Sequence, residues 1–252
     1  YAQALWDYLR TWEWMSVLLT TIWAGITIVV LSLASSLLPV FVAWLRVFLV
    51  SRGVPVWAVI VCVAVIGIIL FMIPPIPGAG VYYMSAVILP QVMDFYAAVA
   101  ASIALGFALK IVASVIQQKV IGEGLGRYTW VRSIARVNSV HTRAIREVLR
   151  APGWTRGKVA VLVGGPDWPT SVLTGILRLN VWSMMLGTSP SMVLVVAFVL
   201  NGAYLTVRSQ DPLSAFIYNM SVGFAILVGA IAQLSALHFV LDVVETRRHE
   251  LE

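Results

Sequence analysis

Charge is scarce in this chain of 252 residues: Asp, Glu, Lys and Arg make up 11% of it, against about 25% in ordinary soluble domains. Too few charged side chains remain to cover a water-facing surface, which argues against a soluble module. Cysteine is scarcer still. Cys62 stands alone in the middle of an apolar run, so neither a disulfide nor a cysteine metal cluster is available, and the redox compartment is not reported. No His, Cys, Asp and Glu spacing suits a metal, and no nucleophile lies beside a base. Gly122-x-Gly124-x-Gly126 lacks the preceding strand that a nucleotide-binding fold needs and reads as a flexible loop. Enzyme chemistry and a bound cofactor are therefore not expected. The chain opens at Tyr1 rather than Met, as a processed or truncated chain would, and no cleavable signal peptide is read there.

What the sequence has in abundance is apolar length. Hydrophobic residues make up 60% of the chain and mean hydropathy is +0.93. About 20 apolar residues span a bilayer, and the stretches 15–45, 53–93, 179–207 and 212–241 carry no Asp, Glu, Lys or Arg. The expected class is an all-α polytopic membrane protein. Residues 1–53 hold an interfacial segment, with Trp6, Trp12 and Trp14 among Asp7, Arg10 and Glu13, and a first membrane helix broken or kinked near Pro39. Residues 54–245 form the main membrane domain, and 246–252 a tail.

The net charge of +6 is placed unevenly. Nine of the seventeen basic residues fall between Lys119 and Lys158, with only Glu123 and Glu147 as acids. Such a loop stays on the cytoplasmic side or its equivalent in an organelle, and its partner is an anionic membrane surface rather than nucleic acid. Within it, 127–151 reads as an amphipathic surface helix. Val131, Ile134, Val137, His141, Ala144, Ile145 and Val148 share one face, while Arg132, Arg136, Arg143, Arg146 and Arg150 share the other. The apolar face suits a membrane surface or the protein's own helix ends, and Pro152-Gly153 stops the helix.

Two interruptions resemble one another. As one straight helix, 53–93 would be roughly 60 Å long, about twice the hydrocarbon thickness. It turns at 74–80, Pro74-Pro75-Ile76-Pro77-Gly78-Ala79-Gly80. A second turn lies at 164–170, Gly164-Gly165-Pro166-Asp167-Trp168-Pro169-Thr170. Both carry P-x-x-P, and the flanking arms are too short to span. Kinked spanning helices are the plain alternative, but arm length favours an inverted repeat of two re-entrant hairpins, each followed by a spanning helix. Paired, proline- and glycine-interrupted short segments point to a transporter-like binding site, since irregular backbone at membrane depth needs protein or water to satisfy it.

The order Ile73-Pro74-Pro75-Ile76-Pro77-Gly78, Val81-Tyr82-Tyr83-Met84-Ser85-Ala86, the small-residue helix 97–106, Pro166-Asp167-Trp168-Pro169, Leu173-Thr174-Gly175, Leu186-Gly187-Thr188 with Pro190, and Asn201-Gly202-Ala203-Tyr204-Leu205 resembles the DedA/VTT superfamily of SNARE-associated Golgi-type membrane proteins. The resemblance covers roughly 54–245. Bacterial members usually carry an acid in the first turn, where this chain has Pro77-Gly78-Ala79, and arginines around the second, where it has Gly165 and Val172. The pattern is closer to the eukaryotic autophagy-type members, and that resemblance implies a phospholipid scramblase.

The charges near the turns decide the candidate seam: Pro74, Pro77, Gly78, Pro166, Asp167 and Pro169, with Arg178 and Lys110 as candidate cations. A charge at membrane depth is costly and marks a functional site by default, although Asp167 also suits a helix cap. Arg178 suits a lipid phosphate or simple snorkelling. Lys110, seven residues before the apparent helix end at Gln117, suits either role. Asp94 reads as a cap, and His238 with Asp242 as surface neighbours. Three functions fit: a lipid scramblase or transporter acting on phospholipids, a structural subunit of a homo-oligomer or larger membrane complex, and an ion-coupled small-solute transporter using Asp167 and Lys110.

Overall fold

An apolar chain leaves its backbone to satisfy its own hydrogen bonds, and a helix does so within one segment. The computed structural model describes residues 13–74 and 76–247, and there is no strand among them. The expected interfacial segment before Glu13 and the end of the tail lie outside the described residues. In chain order the helices are α1 (Trp14–Ser51), α2 (Val56–Met72), α3 (Gly78–Ile88), α4 (Phe95–Ile116), α5 (Thr129–Ile134), α6 (Val140–Arg150), α7 (Arg156–Gly164), α8 (Asp167–Ile176), α9 (Val181–Thr188), α10 (Met192–Val207) and α11 (Pro212–Thr246). The stretches Trp14–Ser51, Phe95–Leu125, Val181–Val207 and Pro212–Thr246 are long and apolar enough to cross a membrane.

Short polar side chains start several of these helices by accepting free backbone N–H groups. Asp94 accepts from Tyr96 and Ala97 N–H at the head of α4, as its sequence position suggests. Asn180 and Asp211 do the same for α9 and α11. Pro39 does not break the first helix, because α1 continues through it.

α4 also outruns its expected end. A wide, π-type turn over Gln117–Gly122 and a last turn Glu123–Leu125 prolong it. The glycine-rich stretch read as a flexible loop is thus the packed end of a helix. A Cβ on Gly122 would lie 2.7 Å from the Gly175 Cα and 2.4 Å from the Val172 carbonyl oxygen. Gly122 and Gly175 let the end of α4 and α8 meet backbone to backbone, the small-residue contact that apolar surroundings favour because lipid gives no hydrophobic drive between helices,.

The core divides in two. One cluster gathers α1 beyond Leu38 with α2, α3, α4 and α10; the other gathers α6, α7, α8 and α9, with α11 against it. α10 lies along α3, where Gly202 faces Ala86 and Tyr83, and α11 lies along α7, where Gly164 faces the Ala232 backbone and Gly157 faces Phe239.

The basic segment differs from the single amphipathic helix expected over 127–151. It is two helices, α5 and α6, joined by a turn in which Arg136 takes a left-handed backbone, φ 45°. The turn resets the helical phase, so Ile134 and His141 are exposed while Thr142, Ala144, Val148 and Leu149 are buried. The apolar face of α6 packs on protein, against α7 and α11. Arg132, Arg136 and Arg150 face outward, whereas Arg143 and Arg146 are half-buried. Arg247, just past α11, pairs with Glu147 at 2.9 Å and ties the two helices together.

Candidate functional site

The two interruptions meet tip to tip. Pro77 precedes α3 and Pro166 precedes α8, each in extended backbone, so each turn hands the chain directly to a short helix. Proline fits there because an incoming residue at a helix start needs no N–H partner. The tips touch so closely that a Cβ on Gly78 would lie 2.2 Å from Asp167 Oδ2 and 2.9 Å from the Phe71 ring.

Between the tips lies a cavity of about 430 Å³, lined by Pro74, Pro77, Gly78, Pro166, Asp167 and Pro169 among others. Six of the eight seam residues read from sequence therefore share one cavity wall. Lys110 joins them from α4: its Nζ forms an ion pair with Asp167 Oδ1. The Lys110 side chain is 7% exposed and that of Asp167 29%, so the carboxylate is the more exposed end. Because α4 runs on to Leu125, Lys110 sits at the middle of a 31-residue helical stretch. Either end is about 22 Å away at 1.5 Å per residue, too far for its stem to snorkel.

Asp167 is the first residue of α8, just after the N-cap Pro166, and its carboxylate is engaged by Lys110 from α4. Arg178 is not brought to the cavity. It is exposed at the other end of α8, in left-handed backbone with φ 52°, where its N–H donates to the Gly175 carbonyl and closes the helix.

Other residues were not singled out by sequence reasoning. Gln117 and Gln118, consecutive in the wide turn of α4, each hold the chain beside one of the two proline turns. Gln117 Nε2 donates to the Phe71 carbonyl at 2.7 Å, at the end of α2, and Gln118 Nε2 donates to the Leu179 carbonyl at 2.7 Å, just past α8. Both are buried. The legible signal was an adjacent pair of amides closing an apolar helix. Trp168 also lines the cavity, and its buried indole N–H has no acceptor among the described residues. Lys158, counted with the basic loop, is fully buried, its Nζ donating to the Ala151 carbonyl and, at 2.7 Å, to Ser183 Oγ.

Chemically, the site offers one partly exposed carboxylate, one buried ammonium partnered to it, an amide and an indole donor, all inside largely apolar walls. No group of three His, Cys, Asp or Glu able to hold a metal occurs among the described residues. Compared with protein-family models, curated proteins and solved structures, the chain has no match.

Proposed function

We propose that the chain is a membrane lipid scramblase or lipid transporter of the VTT type, in which phospholipid headgroups pass along the polar seam between the two turns. The observation that supports it is the Lys110–Asp167 pair at the cavity where the two P-x-x-P turns face each other. In this reading the arms around 74–80 and 164–170 are re-entrant hairpins of an inverted repeat. The basic segment lies on the cytoplasmic or equivalent side. α2, of 17 residues, and α3, of 11, are about 26 Å and 16 Å long, and α7 and α8 are shorter than α2,. None reaches the roughly 30 Å of the hydrocarbon core. A headgroup moving there exchanges water for fixed polar partners, while the acyl tails stay in lipid.

The test uses purified protein in liposomes carrying a dithionite-bleachable fluorescent lipid. Wild type should bleach past the outer-leaflet plateau. The variant Lys110→Met/Asp167→Leu removes both charges together, which avoids leaving one buried charge unpaired. It should insert normally and scramble severalfold more slowly. A wild-type plateau equal to that of empty liposomes, with protein correctly inserted, would sink the lipid reading.

The same ion pair favours a second reading, an ion-coupled small-solute transporter with Asp167 and Lys110 as the coupling pair. Solute uptake driven by an imposed ion gradient, without lipid scrambling, distinguishes it.

A further inference from the structure

Hydrocarbon offers an amide no hydrogen bond, so an amide carried into it needs a protein partner or a cavity. Between Ser221 and Ser235, Gln233 is the one polar side chain of α11. It stands about 20 Å from Thr246, the nearer end of that helix, at 1.5 Å per residue,. Its short side chain cannot reach an interface from there. The amide makes no hydrogen bond among the described residues. What it has instead is the cavity between the tips, which Ala225, Gly229 and Gln233, successive turns on one stripe of α11, all line. The second turn holds this stripe in place, since a Cβ on Gly164 would lie 2.7 Å from the Gln233 backbone nitrogen.

This wall is also the open one. Gln233 is exposed, and a Cβ on Gly229 would meet nothing within 4 Å. On the α1 side the cavity is lined by Leu31, which is itself 44% exposed. α1 leans on α3, whereas α11 leans on α10, α7 and α6, so the two helices flank the cavity on different supports. An amide presents N–H donors and a carbonyl acceptor together. It meets phosphate and ester oxygens with the first and a headgroup hydroxyl or ammonium with the second. Being uncharged, it holds neither as tightly as an ion would. The charged pair, Lys110 with Asp167, belongs to the same cavity at the tips.

We propose that the gap between α1 and α11 is a lateral portal by which phospholipid headgroups reach the cavity from lipid, and that the Gln233 amide is the contact they meet there. The portal takes its ligand from the lipid reading above but does not require net transfer. A headgroup that enters from one leaflet and returns to it uses the same opening.

Cysteine variants of the full chain test it in liposomes that contain a phospholipid with a maleimide on its headgroup. Cys62→Ala is the background and the blank. A thiolate adds across the maleimide double bond, so labelling reports headgroup contact at that position whether or not lipids cross. Gln233→Cys and Gly229→Cys should label severalfold faster than Ile231→Cys and Leu234→Cys, which are exposed at nearly the same depth on other sides of α11,. Gly229→Cys serves where Gln233→Cys does not insert. Adding Gln233→Leu to Gly229→Cys should slow its labelling severalfold, and adding Gln233→Asn should slow it less. Equal labelling at the four positions, or no effect of Gln233→Leu, overturns the proposal. Labelling by a water-soluble maleimide alone also overturns it, and identifies a solute path instead. Disulfide-linked dimers formed through Gln233→Cys under mild oxidation do the same, because a second copy then covers the amide. Labelling without scrambling in the bleaching assay removes the transport reading and leaves the portal, and scrambling without labelling does the reverse.

Discussion

At the scale of single residues, the chemistry rests on one buried ammonium and its carboxylate. Breaking a buried pair from one side leaves an uncompensated charge, at a cost of about 3–5 kcal/mol, while removing both partners costs much less. Asp167→Asn and Lys110→Met should therefore each destabilise by about 3 kcal/mol, and Lys110→Met/Asp167→Asn by clearly less than their sum. Reversible unfolding in mixed micelles reads this cycle, and additive losses would mean that the pair does not couple. Arg178 provides the contrast. It closes α8 in left-handed backbone and touches no part of the cavity. Arg178→Gly should leave stability within about 1 kcal/mol, since glycine relieves the backbone but loosens the unfolded chain. The transport proposed above should be unchanged, and its loss in this variant would put the arginine in the proposed pathway. Asp167 was legible in the sequence as a lone acid inside a proline turn. Its partner was less so, because Lys110 looked close to a helix end until the wide turn carried α4 nine residues past Ile116. Lys158 was not legible at all: nothing in a run of basic residues tells which one folds inward.

Among the elements, the contact between α4 and α8 fixes the second tip. A Cβ on Gly175 would lie 2.1 Å from the Gln118 carbonyl oxygen and 2.7 Å from the Gly122 Cα. These are backbone atoms with nowhere to go. Gly175→Ala should therefore cost at least about 2 kcal/mol, the range seen when a tight core is overfilled. Gly124→Ala, two residues from the contact and with open space around its Cβ, should instead stabilise by about 0.5–1 kcal/mol through the unfolded state. Thermal unfolding of the two variants side by side reverses this order only if the helices meet elsewhere. Both P-x-x-P turns were readable because proline and glycine break apolar runs visibly. The glycine contact was not, since a glycine facing another helix and a glycine in a loop look alike until the partner is placed. The basic segment failed for a related reason. A wheel drawn through 127–151 assumes one phase, and the left-handed turn at Arg136 interrupts it.

For the molecule as a whole, the outward cations and the seam are separable. If the basic segment rests on an anionic surface, as proposed, replacing Arg132, Arg136 and Arg150 with Gln should remove roughly 3 kcal/mol of attraction to it, about 1 kcal/mol for each. Tyr128 and Trp130, both exposed, should then be cut faster by chymotrypsin in anionic liposomes, while the proposed scrambling should be unchanged in neutral liposomes. Unaltered cleavage would mean that protein contacts alone hold the segment. The seam has a further implication for how the chain is made. Lys110 and Asp167 are 57 residues apart in sequence. At about 5–20 residues per second of synthesis, roughly 3–11 s pass between the appearance of the lysine and that of its carboxylate. A lysine at the centre of a membrane helix costs about 2.5–3.5 kcal/mol on insertion scales. An α4 inserted as it is made would carry that cost unneutralised until α8 brings Asp167 to it, so its insertion should become easier once α8 has been synthesised.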